Sequence, residues 1–280
     1  MKIGIIGTDS SHAIAFSERL MKKGHEVIAY RGGSSMELSS NRIERISGQL
    51  CENGVPFIDS LQKLVQVCDA FIITSVDAAQ HFEQFAEVCA THKPVFIDKP
   101  LAQNVEQALA IIELANKQGT PLMSCSALRF AEEIQQAKKS KRNIEAVDII
   151  APLPMLTDFD YFYYGIHAVE MVSALKGTGI QDIAVTVSEQ QHFITLTFMD
   201  GTVSTIRGYL QHRNSFQFVT HTHQQSEWYE IEEGDFRFYD YLIDAIEQFF
   251  ILRESPINQE ETLQIIKVLE LMTKTARKNY

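Results

Sequence analysis

Lys2-Ile3-Gly4-Ile5-Ile6-Gly7-Thr8-Asp9-Ser10-Ser11-His12 opens the chain with a short apolar run, a glycine, and several residues able to cap a helix. An uninterrupted apolar run without alternation suits a strand buried on both faces, as strands of a parallel sheet are. Residues 13–23 continue with Ala13, Phe16 and Leu20 on one helical stripe, and Gly24 supplies the stop. A strand, a tight turn and a helix present backbone N–H groups and the positive end of a helix dipole to an anion. The loop from Gly7 to His12 is therefore expected to face a phosphate.

Working outward, residues 26–30 form the next predicted strand, 42–48 a helix and 55–58 a third strand, all on the scale of βαβ units. Strands at 70–74, 94–97 and 122–125 alternate with helices at 81–91 and 105–117. Six strands in this rhythm predict a doubly wound parallel Rossmann sheet. After about Arg129 the pattern changes. Strands at 183–188, 193–198, 203–207, 216–221 and 228–231 succeed one another without helices, and Asp200-Gly201 marks a hairpin. Helices at 238–252 and 260–278 close the chain around a Ser255-Pro256 break. The expected organisation is α/β: a Rossmann domain at 1–125 and an α+β domain with a mainly antiparallel sheet at 126–280.

A length of 280 residues suits two such domains. With 45% hydrophobic and 22% charged residues, disorder as the main state is excluded. A formal charge of -11 argues against nucleic acid or an anionic membrane as the partner, so anionic ligands must be held by local groups. The one basic run, Lys138 to Arg142, reads as a solvated loop. Cys51, Cys68, Cys89 and Cys125 are widely spaced and read as reduced, mostly buried thiols. No apolar stretch is long enough to span a membrane, and Ile3 to Ile6 is too short for a signal-peptide core. A cytoplasmic location without a membrane anchor is expected.

Against the G-x-G-x-x-G pattern only Gly7 is present, with Asp9 in the second place and His12 in the third. A carboxylate there repels pyrophosphate unless it turns inward to cap the helix. Two readings stay open: a working phosphate loop of Gly7, Thr8, Asp9, Ser10, Ser11 and His12, or a scaffold that has lost or weakened its cofactor. At the end of the second strand Tyr30-Arg31-Gly32-Gly33 carries no carboxylate. The Arg31 guanidinium could fork a 2′-phosphate, which favours NADP over NAD; a solvated strand end is the alternative. Ser75, Asp77 and His81 follow the fourth strand and border the same crevice, unless they are simply loop and helix-start residues. Asp98 and Lys99 stand directly after the fifth strand, where ligands of such sheets bind. Farther on, Tyr163-Tyr164-Gly165-Ile166-His167 leads to Glu170, one helical turn from His167. The alternative there is a core histidine bonded to Glu170. His221 and His223 lack a third ligand nearby, so no metal is predicted.

Together these segments resemble the Gfo/Idh/MocA family, the glucose-fructose oxidoreductase and inositol dehydrogenase group. Asp98-Lys99-Pro100 is similar to its Glu-Lys-Pro motif, Leu128-Arg129-Phe130 to its Arg-Phe step into the second domain, and Gly165-Ile166-His167 with Glu170 to its Gly-x-His-x-x-Asp motif. The resemblance implies hydride transfer between nicotinamide and a hydroxyl carbon of a sugar, polyol or related small metabolite. It implies His167 as general base and Lys99 as stabiliser of the developing alkoxide. Tyr163 stands where the family often has a catalytic Asp, and its role passes to Tyr163, Tyr164 or Glu170. Arg129, Tyr164 and Glu170 are implied substrate contacts, and the outer face of the antiparallel sheet is implied to make a homo-oligomer. The altered loop and missing carboxylate keep two alternatives: a metabolite-binding regulator without turnover, and a lyase or glycosidase that uses bound cofactor transiently.

Overall fold

The computed structural model describes residues 1–139, 143–155, 160–211, 215–232, 234 and 236–278. Strands and helices alternate at first, except that two helices separate β2 from β3: β1 (Lys2–Ile6), α1 (Ser11–Lys22), β2 (Glu26–Tyr30), α2 (Glu37–Ser40), α3 (Ile43–Glu52), β3 (Phe57–Ile58), α4 (Leu61–Val67), β4 (Ala70–Ile73), α5 (His81–Cys89), β5 (Val95–Asp98), α6 (Val105–Gln118) and β6 (Leu122–Cys125). All six strands are parallel, in the order β3-β2-β1-β4-β5-β6. Every residue of β4, β5 and β6 is buried, which is why their sequences run apolar without alternation. The strand order reverses between β1 and β4. Loops leaving those two strands must then part in opposite directions and open a crevice.

The chain continues through a short 3-10 turn (Ala127–Phe130), α7 (Glu132–Lys139), β7 (Ala146–Pro152), α8 (Gly165–Lys176), β8 (Ile180–Val187), β9 (Gln191–Phe198), β10 (Val203–Tyr209), β11 (Phe216–His221), β12 (Ser226–Ile231), α9 (Arg237–Leu252) and α10 (Gln259–Arg277). The second sheet has the order β12-β11-β7-β10-β9-β8. Its pairings are antiparallel except for β7 with β10. The predicted hairpin joins β9 and β10, where Asp200 Oδ1 accepts from Thr202 N–H at 3.0 Å and Gly201 takes the left-handed φ of 81°. β7 sits at the centre of this sheet yet is absent from the sequence expectation. Its Val147, Ile149 and Ala151 are buried while Asp148 and Ile150 alternate with them, a pattern obscured by Ile150 on the outer face and Pro152 at the end.

Two compact units emerge: residues 1–125 with 242–259, and residues 126–241 with 260–280. Residues 242–259, which sequence order groups with the second domain, thus complete the first. Leu242, Ile243, Ile246, Phe249 and Phe250 form the buried stripe of α9. Polar ties reinforce it: Lys23 Nζ reaches Asp244 at 2.8 Å and Glu247 at 2.7 Å, and hydrogen bonds to those carboxylates push its pKa up to about 12. His25 Nε2 meets the same Glu247 at 2.9 Å.

Lys138 and Lys139 are exposed at the end of α7, while Ser140, Lys141 and Arg142 of the basic run lie outside the described residues. Cys68, Cys89 and Cys125 are buried and Cys51 is exposed, none in a disulfide. Among the described residues no helix is long and apolar enough to cross a membrane.

Candidate functional site

In the first unit the crevice is built by the loops after β1, β2, β4 and β5. Gly7 has φ of 90°, and a Cβ placed there would stand 2.1 Å from Ser75 Oγ and 2.6 Å from Ser75 N. Only glycine lets the β1 and β4 loops approach this closely. Thr74 Oγ1 donates to Gly7 O at 2.6 Å, and Gly7 and Thr8 N–H donate to Tyr30 O and Arg31 O at 3.0 and 2.9 Å. Thr8 is buried, its hydroxyl 2.7 Å from Ser47 Oγ of α3.

Asp9 is fully buried and turned inward, but it does not cap α1. Its Oδ2 accepts from Ser39 Oγ at 2.6 Å and its Oδ1 from Val76 N–H at 3.0 Å, so the carboxylate braces α2 against the β4 loop. The cap of α1 is Ser10, whose Oγ accepts from His12 N–H at 3.2 Å. With the Asp9 side chain withdrawn, the backbone N–H groups of Asp9, Ser10 and Ser11 find no acceptor among the described residues. They stand at the head of a twelve-residue helix, where N–H groups and the positive end of the dipole favour an anion. The loop thus fits a phosphate despite lacking two of three glycines.

His12 Nδ1 lies 2.6 Å from Asp98 Oδ2, and both side chains are largely buried. Burial pushes the Asp98 carboxyl up, but His12 beside it and the charge and N–H of Lys99 outweigh this and hold it below the ordinary carboxylate range. Lys99 is partly buried and precedes Pro100 through a cis bond. Ser75 Oγ donates to Gln84 Oε1 at 3.0 Å. His81 is fully buried between Ser75 O at 2.9 Å and Leu101 O at 3.2 Å, so it clamps two loops rather than facing the crevice. Asp77 Oδ1 accepts from Ala79 N–H at 3.0 Å and starts the 3-10 turn before α5.

Beside the end of β2 a cleft of about 640 Å³ is lined by Tyr30, Gly33, Asp59, Glu83, Gln84 and Glu87 among others. Arg31 forms an ion pair with Glu44 of α3. The carboxylates absent from the C-terminal end of β2 arrive from α3, the β3–α4 loop and α5, and such non-local supply leaves no mark in the sequence around Arg31.

In the second unit α8 begins at Gly165, where a Cβ would meet Tyr161 Cβ at 3.0 Å. His167 is partly exposed, with Tyr164 and Phe216 each edge-on at 5.9 Å and Tyr163 stacked at a tilt on Tyr164 at 5.3 Å. His167 and Glu170 do not meet directly. Ser126 joins them: its Oγ is 2.6 Å from His167 Nδ1 and its N–H donates to Glu170 Oε1 at 3.1 Å. Ser126 escapes sequence reasoning because a lone serine after a strand carries no motif.

Arg129 and Glu170, expected to touch substrate, are both buried and engage each other, Nη1 to Oε2 at 2.5 Å. Arg129 Nη2 also reaches Glu261 Oε1 at 2.5 Å, and Ser173 Oγ donates to that oxygen at 2.8 Å. Burial raises the Glu170 carboxyl above its ordinary range, against the pull of Arg129. These residues anchor the floor on which Ser126 and His167 stand. His221 Nε2 pairs with Asp148 Oδ2 at 2.9 Å on the second sheet, and no group of three metal-binding side chains occurs among the described residues.

The Gfo/Idh/MocA family model, an oxidoreductase family with an NAD-binding Rossmann fold, matches residues 1–125. YceM of Salmonella typhimurium, an oxidoreductase by name, is 33% identical over 91 residues, 32% of this chain and 29% of that protein. The matched part therefore spans less than a third of that relative. The myo-inositol dehydrogenase of Lactobacillus casei, solved with NAD(H) and myo-inositol, superposes with a TM-score of 0.79 at 16% identity, covering 100% of this chain and 95% of that one. The WlbA dehydrogenase of Bordetella pertussis, solved with NADH and UDP-GlcNAcA, gives a TM-score of 0.79 at 15% identity, covering 100% and 97%. At these identities the two structures establish a shared fold.

Proposed function

We propose that this chain, whose residues 1–125 match the Gfo/Idh/MocA oxidoreductase family model, is a nicotinamide-dependent dehydrogenase or reductase of a small polyhydroxylated molecule. The observation that carries the reading is the turn at Asp9, Ser10 and Ser11, whose N–H groups find no acceptor among the described residues while the Asp9 carboxylate, which would oppose a phosphate, is tied to Ser39 and Val76. The dinucleotide, when bound, supplies or takes the hydride.

The chain's own part is to hold and protonate. The β1–α1 turn holds the pyrophosphate, and the His12–Asp98 pair stiffens the end of β5 that carries Lys99. Lys99 is proposed as an electrostatic group and His167 as a proton-transfer group of the reaction, and Tyr163 and Tyr164 offer hydroxyl and ring faces suited to a sugar or polyol. We propose NAD in preference to NADP. Arg31 is neutralised by Glu44, and the neighbouring cleft carries Asp59, Glu83 and Glu87, a field unfavourable to a 2′-phosphate. A cytoplasmic location and a homo-oligomer are proposed with the same reading.

Titration of the protein with NAD and NADP, read by thermal shift, and with polyols and sugars, read by absorbance of reduced nicotinamide, tests the proposal. A shift with NAD and reduction by at least one polyol are expected. Failure of both nucleotides to bind at millimolar concentration overturns it. Lys99→Ala is expected to lower kcat roughly 100-fold, the scale of losing an electrostatic or acid-base group, with little change in nucleotide affinity. An unchanged kcat removes Lys99 from the chemistry.

A further inference from the structure

Ser126 is fully buried, and its hydrogen-bonding capacity is nearly all specified by its surroundings. Its Oγ accepts from Leu128 N–H at 3.2 Å, which uses one lone pair. Its own hydroxyl proton needs an acceptor, because a buried donor without one is costly. His167 Nδ1, at 2.6 Å, is an acceptor placed to take it. We infer that Ser126 donates to Nδ1 and so holds the neutral His167 ring as the tautomer protonated at Nε2, which makes Ser126 a positioning residue for the site.

The rival arrangement, with Nδ1–H pointing into Oγ, leaves the Ser126 hydroxyl proton without that acceptor, and so does the doubly protonated ring. Ser126 thus opposes both. Of the charged groups on the packed elements, Glu170 of α8 and Glu261 of α10 share the single guanidinium of Arg129, while Tyr164 and Phe216 flank the ring. The consequence rests on the dehydrogenase reading of the site. A ring that donates from Nε2 favours the carbonyl form of the substrate, whose oxygen only accepts; taking a proton from a hydroxyl first requires the Ser126 rotor to turn away.

Two-bond proton–nitrogen correlation spectra of the cofactor-free, ¹⁵N-labelled protein read the tautomer directly, with His167 assigned by its loss in His167→Asn. Expected are a bare Nδ1 and a protonated Nε2 in the wild type. Ser126→Ala should abolish the preference and raise the pH at which the ring takes its second proton, and Ser126→Thr should restore both. Protonation at Nδ1 in the wild type, or a Ser126→Ala spectrum unchanged in tautomer and titration, overturns the inference. The wild-type spectrum decides alone should Ser126→Ala not fold. Because the readout needs no cofactor or turnover, an absence of dehydrogenase activity beside a fixed Nε2–H tautomer would reject the functional reading and leave the inference standing.

Discussion

His12 and Asp98, 86 positions apart, meet at 2.6 Å and join the head of α1 to the end of β5. The carboxyl of Asp98 is held below its ordinary range, so its stabilising effect is present above the unfolded pKa near 4 and fades as pH falls through the lower folded value. Denaturant unfolding measured from pH 7 to pH 2.5 is expected to show this loss. Asp98→Asn should be less stable at pH 7 by about 3 kcal/mol, the scale of breaking a buried pair, and less sensitive to acid. Equal acid sensitivity in the two proteins would refute the assignment.

Asp9→Gly restores a consensus glycine and is nonetheless expected to weaken the protein. The change strips the acceptor from Ser39 Oγ and Val76 N–H, and two stranded donors cost about 2–6 kcal/mol in all. Thermal unfolding with and without NAD checks this; a variant that melts higher without ligand would show that Asp9 is not a brace.

Glu44→Ala releases the Arg31 guanidinium. NADP affinity should then rise several-fold relative to NAD, since an exposed charge pair is worth about 0.2–1 kcal/mol. Isothermal titration with both nucleotides measures the ratio, and an unchanged ratio would show that Glu44 does not set the choice.

One thiol should react quickly with a disulfide reagent at pH 7.5 in the native protein. Cys51 is exposed, whereas burial pushes the Cys68 thiol up to about 11 and raises Cys89 as well. Cys51→Ser is expected to remove the fast phase; its persistence would place an accessible thiolate elsewhere.

The parallel sheet was legible because its central strands report their own burial: apolar runs such as Phe71-Ile72-Ile73 need no partner to be recognised. The hairpin at Asp200-Gly201 is equally local. What escaped was relational. β7 depends on neighbours from residues 203–221 for its place at the centre of a sheet. Arg129 looks like a ligand contact until Glu170 and Glu261 close on it from two helices. Asp9 turns inward, as one of the two readings of the loop requires, but not to cap α1: its partners, Ser39 and Val76, lie 30 and 67 positions away, and Ser10 takes the cap.

The return of residues 242–259 to the first unit sets a timetable for synthesis. As the chain leaves the ribosome, β1 to β6 are complete by residue 125, yet the apolar stripe of α9 and the Lys23 and His25 ties to Glu247 arrive more than 100 residues later. The nascent first unit must wait with an unfinished core while the second is being made. Nicks or stalls between residues 125 and 242 are therefore expected to release a sticky fragment rather than an independent nucleotide-binding module.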